Sequence, residues 1–191
     1  MRPRVRMPQE LAETFVVHPW FRILRTPMGW AAFVTGPRGL LRVYIGARDH
    51  QALRVRIARD LAGAREDRRA LPELAESLQR YFAGEVVEPA APLDDTLGTE
   101  FERRVWSACR AIGYGQRRTY KQLARAAGSP AGARAVGMAL GRNPCPIIVP
   151  CHRVVRSDGH PGGFSAPGGV AFKRRLLQME AGGRSGRPVK R

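Results

Sequence analysis

The chain has 191 residues, 43% of them apolar and 26% charged, with three cysteines and a net charge of +17. That length buries a core without staples, and the odd cysteine count with no CxxC pair excludes a disulfide framework and a zinc ribbon. No run approaches the ~20 apolar residues of a membrane-spanning helix, and the opening MRPRVRMPQELAE lacks the apolar stretch of a secretory signal, so a cytoplasmic protein is expected, nucleoid-associated if bacterial.

Residues 1–11 read as a flexible basic arm. Residues 15–18, 21–25, 30–35 and 40–45 are short aromatic or β-branched runs, separated by turn formers such as Pro27-Met28-Gly29 and Gly36-Pro37-Arg38-Gly39. That punctuation predicts a small antiparallel meander. Residues 51–61 and 71–82 repeat apolar positions at helical spacing, the second through Leu71, Leu74, Leu78 and Phe82. Residues 84–97 contain proline, are acidic and have no helical period, as an interdomain connector would. The expected organisation is an α/β N-terminal support domain with its connector over 12–96, a mostly helical C-terminal domain over 97–180 and a flexible basic tail over 181–191.

In the second half Thr99 stands as an N-cap three residues before Glu102, and Phe101, Val105, Ala108, Cys109 and Ile112 share one helical face. Cys109 therefore reads as core. Gly113 to Gly115 breaks that helix, Thr119 caps a second over 120–127, Gly128-Ser129-Pro130 turns the chain, and 131–141 forms a third. Two short helices joined by a glycine-containing turn are the outline of a helix-turn-helix, which many non-binding helical hairpins share.

Charge favours the binding reading. Residues 1–100 hold 15 Arg/Lys against 13 Asp/Glu, whereas residues 101–191 hold 18 against 3, so one half faces a polyanion. A drift toward arginine, which supplies 30 of the 33 basic residues, does not explain why acids nearly vanish after Glu102. The helix AGARAVGMALG lacks the Asn, Gln and Arg array that reads base edges in the major groove. Its small residues suit close approach, either to the minor groove with Arg134 entering it or to another helix of the domain.

The run 146–155 reads as a buried strand interrupted by Pro150, Cys151 and His152. A thiol there invites a nucleophilic role, with His152, Arg153 and the local positive field drawing its pKa from ~8.5 toward neutrality. Neighbours on a regular strand face opposite ways, so Cys151 and His152 meet only at a kink, which Pro150 can supply, or through a bridging water. Cys145, between Pro144 and Pro146, reads as a packed turn residue, with a Cys145–Cys151 redox pair as the alternative.

Pro150-Cys151-His152-Arg153-Val154, preceded by Asn143-Pro144, resembles the active-site signature of the O6-alkylguanine-DNA alkyltransferases, also called methylated-DNA-protein-cysteine methyltransferases. The resemblance runs from about Thr99 to Glu180, through FERRVW (101–106), RTYKQLA (118–124), ARAVG (133–137), GGFS (162–165) and KRRLL (173–177). In the first half it rests on TPMG (26–29) and YFAG (81–84). It implies that Cys151 accepts the alkyl group, that His152 deprotonates it through a water, that Glu180 orients the imidazole, and that Tyr120 donates to the departing guanine. Asn143 would brace the turn into the site, and Arg134 would fill the stack left by a flipped nucleotide, with Thr119, Ala133, Ala135 and Gly137 also at the DNA. Pro146, Val154, Val155, Phe164 and Ser165 would wall the base pocket.

The implied function is single-turnover, irreversible repair of O6-alkylguanine, with O4-alkylthymine as a weaker substrate. The implied partner is double-stranded DNA carrying the lesion, met by a monomer that can assemble along DNA, without membrane or cofactor. Residues 1–97 contain no Cys and only His18 and His50, so no metal is expected. Phe164 stands where the family often has Tyr, and Ala166-Pro167 alters the segment that follows. Two other classes remain open: a lesion-recognition protein without transfer, against which Cys151 argues, and a helix-turn-helix regulator, against which the poor base-reading content of 131–141 argues.

Overall fold

The structure, a computed structural model, describes residues 18–183. The expected arm at 1–11, residues 15–17 of the first expected strand and residues 184–191 of the expected tail lie outside the described residues. The first half opens with the meander: β1 (Trp20–Thr26), β2 (Gly29–Gly36) and β3 (Gly39–Ala47) pair antiparallel in sequence order. At the first turn the Thr26 hydroxyl donates to Gly29 O at 2.6 Å and accepts from the Met28 N–H at 3.2 Å. Gly29 sits at φ +106°, where a side chain is strained and a Cβ would lie 2.8 Å from Ala47 O.

Alternation along the strands sends residues to two layers. Phe21, Ala32, Val34 and Tyr44 pack on Leu53 and Ile57 of α1 (His50–Asp60), whereas Leu24, Phe33, Val43 and Ile45 pack on Leu74, Leu78, Tyr81 and Phe82 of α2 (Pro72–Phe82). Between the helices lies β4 (Arg65–Glu66), which joins β1 in parallel and makes the sheet order β3-β2-β1-β4. The expected antiparallel meander is present, and β4 adds one short parallel pair that makes the whole sheet mixed. Two polar residues carry no readable period, and β4 is recruited by backbone bonds from Arg65 N to Pro19 O and from Asp67 N to Phe21 O, both 2.9 Å.

Residues 84–97 are mostly irregular, but they are tied down. Leu40 N donates to Pro92 O at 2.9 Å and Asp94 N donates to Leu40 O at 3.0 Å, so this segment straps the β3 edge. The second half is helical: α3 (Glu100–Arg110), α4 (Tyr120–Ala126), α5 (Ala133–Gly141) and α6 (Gly169–Ala181). Thr99 and Glu102 form a reciprocal capping box on α3, and Thr119 and Gln122 form one on α4. The Trp106 indole N–H donates to Ala139 O at 2.9 Å and ties α3 to α5.

The structure corrects the expected strand over 146–155. Only β6 (Val154–Val155) is extended, paired in parallel with β5 (Arg118–Thr119), and Cys151–Arg153 form a single 3-10 turn. Pro146 and Pro150 have no N–H to offer a ladder, and Ile147 turns the chain at φ +76°. A β-branched residue there costs about 1–2 kcal/mol. Burial of Ile147 and Ile148 in the core that also holds Leu24, Phe33, Leu78, Phe172 and Leu176 offsets it, at ~2 kcal/mol per large apolar side chain. The two halves thus share one core, and the site lies at their seam.

Candidate active site

Asn143, just past the end of α5, clamps the turn that presents Cys151. Its Oδ1 accepts from Cys145 N at 2.9 Å, and its Nδ2 donates to Val149 O at 2.9 Å and to Cys151 Sγ at 3.2 Å. The resemblance implied this bracing role, and the amide spans the turn on which Ile147 is strained. An Asn143→Asp variant keeps the acceptor for Cys145 but sets a carboxylate against a carbonyl oxygen and the sulfur. Cys151 reactivity toward a small alkylating reagent at pH 8 is expected to fall about 100-fold, because a neighbouring negative charge disfavours thiolate. The rate of iodoacetamide labelling, with peptide mapping, checks it.

Cys151 is buried, and burial pushes its thiol above the ordinary value, while the Asn143 bond and the Lys173 ammonium pull the other way. The positive surroundings expected from the sequence do not win, because Arg153 is engaged elsewhere. Its Nε donates to Glu180 Oε1 and Oε2 at 3.1 and 3.0 Å, its Nη2 to Oε1 at 2.9 Å and its Nη1 to Ile112 O at 2.5 Å. At rest Cys151 is a thiol, and to act as a nucleophile it would have to lose its proton to a base.

His152 has the geometry of that base. Its Nε2 lies 2.8 Å from Glu180 Oε1 and 3.1 Å from the Tyr81 hydroxyl, which itself donates to Glu180 Oε1 at 2.6 Å. A carboxylate and a hydroxyl oxygen whose own proton is committed both require a donor, which places the imidazole proton on Nε2 and leaves Nδ1 with the lone pair. Nδ1 is buried and has no hydrogen-bond partner among the described residues. Burial lowers the His152 pKa against the raising influence of Glu180, so the ring is neutral near pH 7. Burial would raise Glu180, but the bonds from His152, Arg153 and Tyr81 outweigh it and hold the carboxyl at about 2.

Two cavities meet at Cys151. One, of about 390 Å³, is lined by Tyr120, Gly137, Leu140, Gly141, Cys151, Gly163, Phe164 and Ser165. The other, of about 400 Å³, lies toward the sheet and includes Pro146, Cys151, Phe164 and Ser165 in its wall. The Tyr120 ring passes close to Gly137 and Gly162; a Cβ on Gly162 would lie 2.8 Å from its hydroxyl. Burial, with the Cys151 and Cys109 thiols, raises the phenol pKa and keeps Tyr120 a donor. The buried Lys173 Nζ lies 5.8 Å from the Tyr120 ring centre and donates to Val154 O at 2.7 Å. Burial lowers its pKa to about 8, against the thiols' opposing influence.

Most expected site residues converge, with differences at the edges. Val154 and Val155 are in neither cavity wall: both are buried, and they form β6 behind the site. Thr119 accepts from Gln122 N at 3.1 Å as the α4 cap. Ala133, Arg134 and Ala135 occupy the first turn of α5, which has no side-chain cap; Arg134 is exposed. Cys109 and Cys145 are fully buried and, like Cys151, free thiols. Tyr81, from the first half, is the member the sequence reading missed. Its signal was a hydroxyl on the apolar face of α2, which must find a partner when buried.

A profile described as "6-O-methylguanine DNA methyltransferase, DNA binding domain" matches residues 100–182. Among curated proteins, methylated-DNA–protein-cysteine methyltransferases from Mycobacterium leprae and Mycolicibacterium paratuberculosis are similar. The first is 48% identical over 111 residues, 58% of this chain and 66% of that protein. The second is 46% identical over 118 residues, 62% of this chain and 70% of that protein. These sequence matches span about two thirds of the relatives' length. The crystal structure of Mycobacterium tuberculosis O6-methylguanine methyltransferase superposes with a TM-score of 0.72 at 34% identity, covering 90% of this chain and 97% of that one. The same organism's OGT in complex with DNA gives 0.71 at 35% identity, covering 85% and 93%. With its cysteine, imidazole and carboxylate so arranged and these likenesses extending over both halves, the chain belongs to the methylated-DNA–protein-cysteine methyltransferase family.

Proposed function

We propose that this protein repairs O6-alkylguanine in duplex DNA by flipping the base through the minor groove and moving the alkyl group irreversibly to Cys151, once per molecule. The observation that carries the reading is the lone pair on His152 Nδ1, freed because Glu180 and Tyr81 hold the proton on Nε2. His152 takes the Cys151 proton through a bridging water. The thiolate then attacks the alkyl carbon in line with the O6 bond; the C–S bond forms as the C–O bond breaks, and the electron pair goes to the guanine. Tyr120 neutralises that charge by donating to the base as it leaves. A thioether has no path back to thiol, which makes the protein its own single-use reagent.

Flipping falls to the first turn of α5. Its uncapped amides favour a phosphate, and Arg134 has the length to occupy the stack vacated by the base, while Ala133, Ala135 and Gly137 permit close approach. O4-alkylthymine presents the same kind of carbon on a smaller base and follows as a weaker substrate.

The test is intact and peptide mass after mixing the protein with equimolar duplex bearing one O6-methylguanine. A gain of one CH2 on the peptide containing Cys151, saturating at one per molecule, is expected. Tight, lesion-selective binding without that gain would make it a recognition protein and end the transferase reading.

A further inference from the structure

A groove of about 690 Å³ lies between the end of β3, the start of α1 and the start of α6. It shares Tyr44, Ile45, Arg56 and Pro167 with the sheet-side cavity at Cys151, so the two adjoin. Its floor is apolar, from Met28, Leu53 and Phe172. Strand and helix meet closely there: Gly46 sits at φ +70°, and a Cβ on it would lie 3.0 Å from the Phe172 ring. The rim is cationic. Arg48, Arg56 and Arg175 line it against one acid, Asp49, whose carboxylate is taken up by Ala52 N as the cap of α1. Arg48 and Arg175 are exposed and form no ion pair among the described residues. Arg56 reaches only Asp60, at 3.7 Å, a carboxylate that Arg42 and Arg59 also approach, and its Nε is buried without a hydrogen-bond partner among the described residues. Two of the three guanidiniums are braced on rings, Arg56 at 5.2 Å from the Tyr44 centre and Arg175 at 6.0 Å from that of Phe172. A lone surface arginine is simply hydrated, but three converging on one concavity repel one another and focus a positive potential in it.

We infer, resting on the reading that the protein acts on duplex DNA, that this groove holds the sugar-phosphate backbone flanking the lesion, with Arg48, Arg56 and Arg175 on its phosphates. Charge complementarity selects a polyanion, and continuity with the site makes it the same DNA. The cavity at Cys151 has no acid in its wall and passes Arg56 into the groove, so a backbone leaving the site meets no repulsion on the way. The apolar floor suits sugar faces and offers little to base edges, so the contact positions the DNA without reading its sequence. The first half thereby becomes a DNA-binding element, although 15 basic and 13 acidic residues nearly cancel over 1–100. The sum conceals the patch because most of its acids lie elsewhere: only Asp49 stands in the groove wall.

The experiment measures binding by fluorescence anisotropy over a series of salt concentrations, on two duplexes centred on O6-methylguanine. One is two helical turns long, and the other, of less than one turn, extends little beyond the lesion. The proteins are wild type, Arg48→Gln/Arg175→Gln and Arg48→Lys/Arg175→Lys. On the long duplex the Gln pair is expected to make the slope of log K against log salt shallower by about 2, at ~0.9 per phosphate contact, and to weaken binding about tenfold or more near 0.1 M salt. On the short duplex it is expected to bind as the wild type does. The Lys pair is expected to keep the slope, because lysine releases the same counterions, and it separates loss of charge from loss of fold. An unchanged slope in the Gln pair overturns the groove. Equal weakening on both duplexes does so too, since that is the effect of net charge at a distance. Saturable binding of thymidine monophosphate that the Gln pair loses, with the duplex slope unchanged, would assign the groove to a small anion and overturn its role on DNA. A wild-type protein that binds neither duplex would instead bring down the DNA reading itself, and the groove with it.

Discussion

A Cys151→Ala variant is expected to transfer nothing to itself while still binding lesion-bearing duplex as the wild-type protein does. Two other thiols are present, and neither can substitute. Cys109 is packed against the α3–α5 core and held well above the ordinary thiol range by burial, and Cys145 is pushed to about 12 by the same cause. Removing one sulfur also leaves the fold largely intact. Asn143 Nδ2 loses its contact to Sγ but keeps Val149 O, and its Oδ1 keeps Cys145 N, so the turn stays clamped. A cost of about 1 kcal/mol in stability is expected, near that of one modest hydrogen bond plus a small volume loss. Cys151→Ser sharpens the comparison: its hydroxyl can accept from Asn143, yet it is a far weaker acid than a thiol, so it too should carry no alkyl group. The measurements are peptide mass after equimolar reaction and a binding isotherm on the same duplex. Alkyl gain at Cys109 or Cys145 in either variant would overturn the assignment of the nucleophile.

How much of this was legible in the sequence depended on whether the controlling interaction was local. The meander showed itself through its turn formers, and two helix starts through Thr99, three residues before Glu102, and Thr119, because a cap acts within one turn; the Gln122 side of the second cap came with the structure. The approach of Cys151 to a base was legible as a need, a kink at Pro150, but not as geometry. The extended run expected over 146–155 becomes a strained turn because Asn143 supplies the hydrogen bonds that prolines cannot. Tyr81 was out of reach for a different reason. It lies 71 positions from His152, and only the packing of α2 on the sheet and of 147–148 against that layer brings them together. Sequence separation likewise hid the sheet-side cavity, whose wall joins residues of β3 and α1 to Cys151. The protein's first half thus supplies Tyr81 to the hydrogen bonds around His152 and Glu180 and one wall of the space beside Cys151.

The relay is also where stability and chemistry meet, and Glu180→Gln exposes both. Glu180 takes bonds from Arg153, His152 and Tyr81 in the interior, and one from Gly115 N at 3.1 Å at its edge. Glutamine keeps the size but loses the charge, leaving the buried Arg153 guanidinium only the exposed Glu88 carboxylate at 3.6 Å, and its amide N–H atoms meet groups that are themselves donors. A loss of about 3–5 kcal/mol is expected, the usual result of breaking one side of a buried pair. Thermal or urea unfolding checks it. The pH dependence has a definite sign. A free glutamate titrates near 4.5 and Glu180 at about 2, so its contribution is complete above about 4.5 and is lost as pH falls toward 2. His152, lowered from 6.5 by burial, acts in the same direction from a higher starting point, since the unfolded chain takes up that proton first. Wild-type stability should therefore decline below pH 6.5 and steepen below 4.5, whereas Glu180→Gln should show a shallower limb there, carried by the depressed carboxyls of Asp60, Asp94 and Glu102 that remain. Reactivity follows from the imidazole. Without the carboxylate, the proton is no longer held on Nε2, the ring can present Nδ1–H to Cys151, and a donor in that place cannot accept the thiol proton. Alkyl transfer by the folded fraction is expected to fall about 100-fold or more, within the range for loss of a positioned general base. Tyr81→Phe keeps the carboxylate and should fall by much less. Equal losses in the two variants would show that packing at the seam, and not the proton's place on the ring, sets the rate.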